Sequence, residues 1–198
     1  MIYPSDFTNI QGKSDMAALA AKSIALLAPA RRVVVQAGGC IGLWPLALAK
    51  YFDRVYTFEP APCNFQCLHA NVSSTANILA RGYALGESYQ HVGMTRPKPK
   101  AGLWQVEGEG NIRMFPLDEI LRGAVVDAIV LDVEGYEVQA LRGASKLITT
   151  YRPLLWFEFL HNTDAIKAFV AAHGYERPER GYGGDSYCIH TSRRTFME

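Results

Sequence analysis

Residues 33–60 read VVVQAGGCIGLWPLALAKYFDRVYTFEP. Val33, Val34 and Val35 form a β-branched run with no polar interruption, the pattern of a strand buried on both faces. The run leads straight into a glycine-rich turn, Gln36-Ala37-Gly38-Gly39-Cys40-Ile41-Gly42. Over 41–52 the apolar residues Leu43, Leu46, Ala47, Leu48 and Tyr51 recur at helical spacing, so the turn opens a helix whose first free N–H groups point back at the loop. Pro45 fits because it lies in the first turn, where its missing donor is of little consequence. The chain then forms a second strand over 54–58 and stops at Glu59-Pro60. A carboxylate at the tip of the second strand, about 20 residues past the glycine turn, is where such folds hydrogen-bond both hydroxyls of a ribose. The unit reads as a nucleoside-binding β-α-β.

Two nucleosides fit the turn differently. The pyrophosphate of a dinucleotide needs GxGxxG, and the best frame here is Ala37-x-Gly39-x-x-Gly42, with alanine at the tight-turn position. S-adenosylmethionine has no phosphate to cradle and accepts the looser frame Gly38-x-x-x-Gly42, whose glycines let the methionyl portion approach the backbone. A plain tight connection is the third reading of the same residues.

With 198 residues the chain is sized for one α/β domain, too short for a cofactor domain plus a separate substrate domain. Residues 1–30 form an arm and a helix packing on the domain, and 31–198 form the domain itself. A net charge of +1, a pI near 7.7 and the lack of a basic helix argue against a nucleic-acid partner. The longest apolar segment, 16–28, is interrupted by Lys22 and Ser23 and closed by Pro29, so a membrane partner is not expected; nor is it preceded by the charged start of a signal peptide. Cys40, Cys63, Cys67 and Cys188 show neither CxxC nor alternating His spacing, which argues against a zinc site or disulfide scaffold and suits a reducing cytoplasm.

The arm over 1–12 either packs on the domain or covers the site. Ser14 reads as the cap of a helix over 15–28. A helix over 62–72 carries Asn64 in its first turn, near the ribose carboxylate, where it serves either local backbone or the cofactor. The third strand is expected over 77–84, and its end brings Gly82, Tyr83, Ala84 and Leu85 to the adenine border or merely to strand-end packing. Short strands follow over 89–94, 103–106 and 111–115, around a solvated cationic loop at 95–100, with a short helical piece over 117–121. The fourth strand, 125–131, ends in Asp132-Val133-Glu134-Gly135-Tyr136-Glu137. Three carboxylates thus crowd the carboxyl end of a central strand, where open α/β sheets bind ligands. Glu137 begins a helix over 137–150 and has a structural reading, since an acid there complements the helix dipole. In the fifth strand, 153–159, Glu158 sits in an apolar run and must be paired, ligated or protonated. His161 follows at the tip, then a helix over 163–173 and closing strands over 174–177 and 186–190, joined by a loop able to reach over a pocket.

Three blocks carry a resemblance: Gln36–Gly42 as QAGGCIG with Phe58-Glu59-Pro60 and Asn64; Ala84-Leu85-Gly86-Glu87; and LDVEGYE over 131–137 leading to Leu141-Arg142-Gly143-Ala144. In these the chain resembles the FkbM-type S-adenosylmethionine-dependent methyltransferases. The resemblance implies a Rossmann-like, seven-stranded class I methyltransferase fold: a mostly parallel α/β sheet with helices on both faces and one antiparallel strand near the edge. It also implies O-methylation of a hydroxyl on a sugar or other small-molecule acceptor. By position, Gly38 and Gly42 would border the methionyl part, Glu59 the ribose and Asp132 the region near the transferring methyl, with Gln36, Gly39, Cys40 and Pro60 also among the cofactor-binding residues. The family pattern prefers Asp where this chain has Gln36 and Asn where it has Cys40. Gln36 keeps hydrogen-bonding capacity but not the charge that would pair with the cofactor's ammonium.

Methyl transfer from a sulfonium is an in-line displacement in which the protein aligns the reactants and, for a hydroxyl, removes a proton. Asp132, Glu134 and His161 are the candidate bases or orienting groups. A second assignment gives Asp132, Glu134 and Glu158 to a Mg²⁺ ion held against two substrate oxygens. Two rival functions stand beside methyl transfer: an NAD(P)-dependent oxidoreductase using the Ala37-x-Gly39-x-x-Gly42 frame, and a non-catalytic nucleoside-binding module that keeps the fold.

Overall fold

The computed structural model describes residues 1–4, 9–96, 103–158 and 162–196. In chain order the elements are α1 (Ile10–Leu27), β1 (Val33–Ala37), α2 (Leu43–Leu48), β2 (Arg54–Phe58), α3 (Pro62–Val72), β3 (Ile78–Arg81), β4 (Ala84–Leu85), β5 (Gln90–Val92), β6 (Met94–Thr95), β7 (Gln105–Val106) and β8 (Ile112–Phe115). The second half adds α4 (Leu117–Ile120), β9 (Ala128–Leu131), α5 (Glu137–Arg142), α6 (Ser145–Tyr151), β10 (Leu154–Glu158), α7 (Thr163–Ala172), β11 (Glu179–Arg180), β12 (Asp185–Cys188) and a 3-10 turn, Thr191–Phe196.

Seven strands form the main sheet in the order β11-β12-β10-β9-β1-β2-β3. β1, β2, β3, β9 and β10 are parallel, and β12 runs antiparallel to both β10 and β11. The order turns back between β1 and β9, the place where an open α/β sheet leaves a crevice beyond its carboxyl ends.

Period-2 alternation along the central strands builds two cores. Val34, Ala128, Val130, Leu154 and Trp156 face α1 and α2, meeting Ala21, Ile24 and Leu48. Their neighbours Val35, Ile129, Leu131, Leu155 and Phe157 face the opposite layer, meeting Leu117, Leu141, Ile148 and Ile166. Burying a side chain of this size is worth about 1.5–3 kcal/mol, so both faces must be covered. The continuous apolar runs of the sequence follow directly.

Several boundaries differ from the sequence expectations. α1 starts at Ile10, leaving Ser14 inside the helix with no capping role. α2 ends at Leu48, shorter than 41–52, and Pro45 does lie in its first turn. The expected third strand divides: Ile78–Arg81 joins the main sheet, while Ala84–Leu85 pairs with β8 in a small separate sheet. The helix over 137–150 breaks after Gly143 into α5 and α6, and Gly143 packs so closely on Gly86 that a Cβ would lie 1.9 Å from its carbonyl oxygen. The start of α6 is then satisfied from a distance, because Asp118 accepts from the backbone N–H groups of Lys146 and Leu147, each at 2.9 Å. The closing hairpin is Glu179–Arg180 with Asp185–Cys188; Tyr175 and His190 make only an isolated bridge.

At the amino end of the sheet, Asp127 is fully buried and accepts hydrogen bonds from the backbone N–H groups of Arg32 and Val33 and from the Arg32 guanidinium. This carboxylate locks the starts of β1 and β9 together. Among the described residues no helix is long and apolar enough to cross a membrane.

Candidate functional site

A cavity of about 340 Å³ opens at the carboxyl ends of the parallel strands. Its walls include Gly38, Gly39, Cys40, Glu59, Pro60, Asn64, Tyr83, Ala84, Leu85, Asp132 and Glu134, all named from the sequence. Gln36, Gly42 and Gly82 do not line it. His161 lies outside the described residues, as does most of the 95–100 cationic loop.

The glycine turn is shaped by what it touches. Gly38 has φ +84°, and a Cβ there would lie 1.8 Å from the carbonyl oxygen of Asp132, so the loop can approach the tip of β9 only without a side chain. The backbone N–H of Cys40 donates to Glu59 Oε2 at 2.7 Å, and that of Ala61 donates to Oε1 at 2.9 Å, so Glu59 ties the loop to the tip of β2. Cys40 itself holds φ 47°, a left-handed conformation that asparagine adopts more easily than cysteine. Burial pushes its thiol up to about 12, which keeps it neutral.

Glu59 is 4 % exposed, and its carboxyl is pushed up to about 7. Loss of solvation causes the rise, opposed by the two backbone donors and by Asn64, which is itself buried beside it. Asn64 therefore meets the carboxylate and lines the cavity; its partner is the Glu59 side chain and not the local backbone.

Gln36 departs from its expected place. It stands opposite Thr57 in the β1–β2 register, on the face of Val34, and both are fully buried. Thr57 Oγ1 donates to Gln36 Oε1 at 2.6 Å, and Gln36 Nε2 donates to the Ala37 carbonyl. The side chain points under the loop because strand alternation assigns it to the sheet face rather than to the strand tip.

Carboxylates gather on the other side of the switch point. Asp132 follows Leu131, which pairs with Phe157, so it stands beside Glu158; Glu158 in turn pairs with Asp185 across β10 and β12. Asp132, Glu158 and Asp185 thus form a row across three neighbouring strands, all lining the cavity. Asp132, Glu134 and Glu158 each offer an oxygen within 4.8 Å of the others. Glu134 holds φ 52° at the turn after β9, a costly conformation for a glutamate and one that sets its side chain at the cavity. Asp132 is raised well above the usual carboxylate range, by burial first and then by Glu158, Asp185 and Glu134. Such a group holds a proton more readily than an ordinary carboxylate, and three convergent oxygens can also share protons or hold a divalent cation.

Glu137, by contrast, does not line the cavity: its Oε1 accepts from the N–H groups of Val133 and Gly135 and holds the Glu134 turn in place. Its structural reading agrees with that position.

Sequence reasoning did not single out Asp185, Lys13 and Met16 of α1, Trp44, Trp104 or Tyr136; the loop before β12, read as able to reach over a pocket, does bring Tyr182 to the cavity. Asp185 begins β12 one residue before the expected strand, and only its register with Glu158 reveals its direction. Trp104 carries a buried indole N–H with no partner among the described residues.

A family model described as the methyltransferase FkbM domain matches residues 36–177. Among solved structures, the chain is similar to a methyltransferase FkbM from Methylobacillus flagellatus, with 21 % identity and a TM-score of 0.58 over 80 % of this chain and 43 % of that one. The present chain therefore spans under half of that relative's length. It is also similar to a ribosomal protein L11 methylase from Lactobacillus delbrueckii subsp. bulgaricus (11 % identity, TM-score 0.54, 92 % and 80 % covered). A precorrin-6Y C5,15-methyltransferase from Geobacter metallireducens matches at 11 % identity and TM-score 0.55, with 95 % and 92 % covered. At these identities the likenesses establish the fold, a Rossmann-like class I methyltransferase architecture. No curated protein matches the chain.

Proposed function

The chain belongs to the FkbM methyltransferase family, and on that premise we propose that it moves a methyl group from S-adenosylmethionine to a hydroxyl of a small acceptor. The observation that carries the reading is convergence: Gly38 from β1, Glu59 from β2 and Asp132 from β9 line one cavity. When bound, the sulfonium supplies an electrophilic methyl that needs no further activation. Glu59, already fixed by two backbone donors, keeps lone pairs for ribose hydroxyls, and Tyr83, Ala84 and Leu85 flank the adenine. Asp132 receives the acceptor's proton as the new bond forms, a role its raised affinity for protons suits, and Glu134 orients the hydroxyl. Gln36 takes no part in binding, since both ends of its amide are engaged beneath the loop. A reducing cytoplasm suits the four free thiols.

Calorimetry of the purified chain with S-adenosylmethionine and with NAD(H) tests the reading. Binding of the first and not the second is expected; the reverse would make the protein an oxidoreductase, and binding of neither would leave a module without this cofactor. A second reading is favoured by the 4.8 Å convergence of Asp132, Glu134 and Glu158, which would hold Mg²⁺ and gather two acceptor oxygens. Transfer abolished by EDTA and restored by Mg²⁺ would select it; unchanged transfer would leave Asp132 acting as a base.

A further inference from the structure

We infer that Lys13, on the domain-facing side of α1, binds the α-carboxylate of the methyl donor's amino-acid tail and so makes α1 part of the donor site. The inference rests on the methyl-transfer reading and adds to it one residue from outside the β-α-β unit. Ile10, Lys13, Ala17 and Ala20 follow one another at spacings of three and four, so they share one face of the helix. That face is turned to the domain: Ala17 and Ala20 are buried, and Ile10 packs against Ile41 of the glycine turn, as Cys40 does. A lysine in such a stripe is out of pattern, because the position calls for an apolar side chain. Lys13 stands where the stripe reaches the cavity, which it lines together with Ala17, Ala20 and Cys40.

Its charge lies close to the turn. Burial first, and then Glu59, raise the Cys40 thiol, and Lys13 acts on that thiol in the opposite sense, so the ammonium stands near Cys40. A donor whose ribose meets Glu59 and whose adenine lies by Tyr83, Ala84 and Leu85 sends its tail away from β2, along the turn at 38–40 and towards α1. The tail ends in an ammonium and a carboxylate, and a carboxylate is held best by a cationic donor. Lys13 is the one basic residue lining the cavity among the described residues. It already interacts within the chain, and its ammonium carries three donors, so the carboxylate joins its partners rather than filling an empty place. Gln36 offers the tail nothing, because both ends of its amide are engaged beneath the turn. Lys13 also lies ahead of the family-matched segment 36–177, so its role does not follow from membership. A chain built this way recognises the amino-acid end of its donor by charge, and separates the complete donor from adenosyl compounds that lack the carboxylate.

The test uses the full chain and calorimetry with three adenosyl compounds: S-adenosylhomocysteine, its decarboxylated analogue S-adenosyl-3-thiopropylamine, and 5′-methylthioadenosine, which lacks the whole tail. The unaltered chain is expected to bind S-adenosylhomocysteine about tenfold or more above the decarboxylated analogue, the gain of one hydrogen bond between charged groups. Lys13→Met, which keeps the stem and removes the charge, should shrink that ratio to about threefold or less while 5′-methylthioadenosine stays within about twofold of its original affinity. Lys13→Gln should do the same, so the test does not depend on one variant folding. The methylthioadenosine arm separates a lost carboxylate contact from a general loss of the site. A smaller preference in the unaltered chain, a ratio that persists in the variants, or an equal loss of all three compounds in a folded variant would each overturn the assignment of Lys13 and leave the donor reading standing. Failure of the unaltered chain to bind any of the three would remove the donor reading, and this inference with it.

Discussion

The two ends of the same strands treat carboxylates in opposite ways. At the amino end, Asp127 is buried and saturated by donors from Arg32 and Val33. At the carboxyl end, Asp132, Glu158 and Asp185 stand beside one another, and burial and mutual repulsion raise Asp132 well above its usual range. Asp185 is raised as well, by burial, with the Trp156 indole opposing. The first acid is surrounded by donors that belong to the fold; the others line a cavity and stand among further acids. Glu137 shows that burial alone is not the criterion, because it is as buried as Asp127 and sits beside the site, yet it binds backbone N–H groups.

Four measurements would break or sharpen this contrast. The largest effect is expected from Asp132→Asn, which removes the proton acceptor. Transfer should slow by about 10²–10⁴-fold with little change in donor affinity, as kcat and Kd measured separately would report. Loss of donor affinity with normal turnover would move Asp132 to the binding role. Next, Asp127→Ala should lower unfolding stability by about 1–3 kcal/mol in a denaturant titration, because it strands the backbone N–H groups of Arg32 and Val33 while the exposed Arg32 guanidinium returns to water, with donor affinity unaffected once the chain is folded. If it changed turnover of the folded protein, the two ends could not be independent.

The third test is pH. Glu59 is raised from 4.5 to about 7 in the folded chain, so the unliganded fold favours its protonated form. Its contribution to stability is therefore present below the unfolded value of 4.5 and is lost as pH climbs towards 7. Donor affinity should move the other way, rising by up to about tenfold per pH unit below 7 and levelling above it, because the ribose hydroxyls need the ionised acceptor. Calorimetry with S-adenosylhomocysteine from pH 5.5 to 8.5 checks this, and Glu59→Gln should flatten the profile. The smallest effect belongs to Gln36→Asp: with the side chain beneath the loop, donor affinity should stay within about threefold while melting temperature drops from burial of a charge opposite Thr57. A large gain in affinity would show that position 36 reaches the ligand after all.

Much of the fold was legible in residues whose meaning is local. Arg54–Phe58 and Pro62–Val72 begin and end where their apolar spacing and Pro62 place them. That Glu59 and Asp132 line one cavity was readable because each directly follows a buried strand, and strand tips in an open parallel sheet converge. Where reading failed, a distant contact had intervened. Gly143 at the helix break packs on Gly86, a residue 57 positions earlier, and the division of the third strand goes with pairing to Phe115. Gln36 was misplaced for a subtler reason: its position in a motif was clear, but its side of the strand was not.

The amino-acid sequence by itself determined the β-α-β core, the glycine-rich turn and the two acids at the tips of β2 and β9, because hydrophobic period and glycine placement are properties of short segments. Only the tertiary structure decided that Asp132, Glu158 and Asp185 form one row, that Trp156 orients the last of them, and that Gln36 turns away. Register between strands far apart in the chain, and the side of the sheet on which each residue falls, come from packing the whole domain at once.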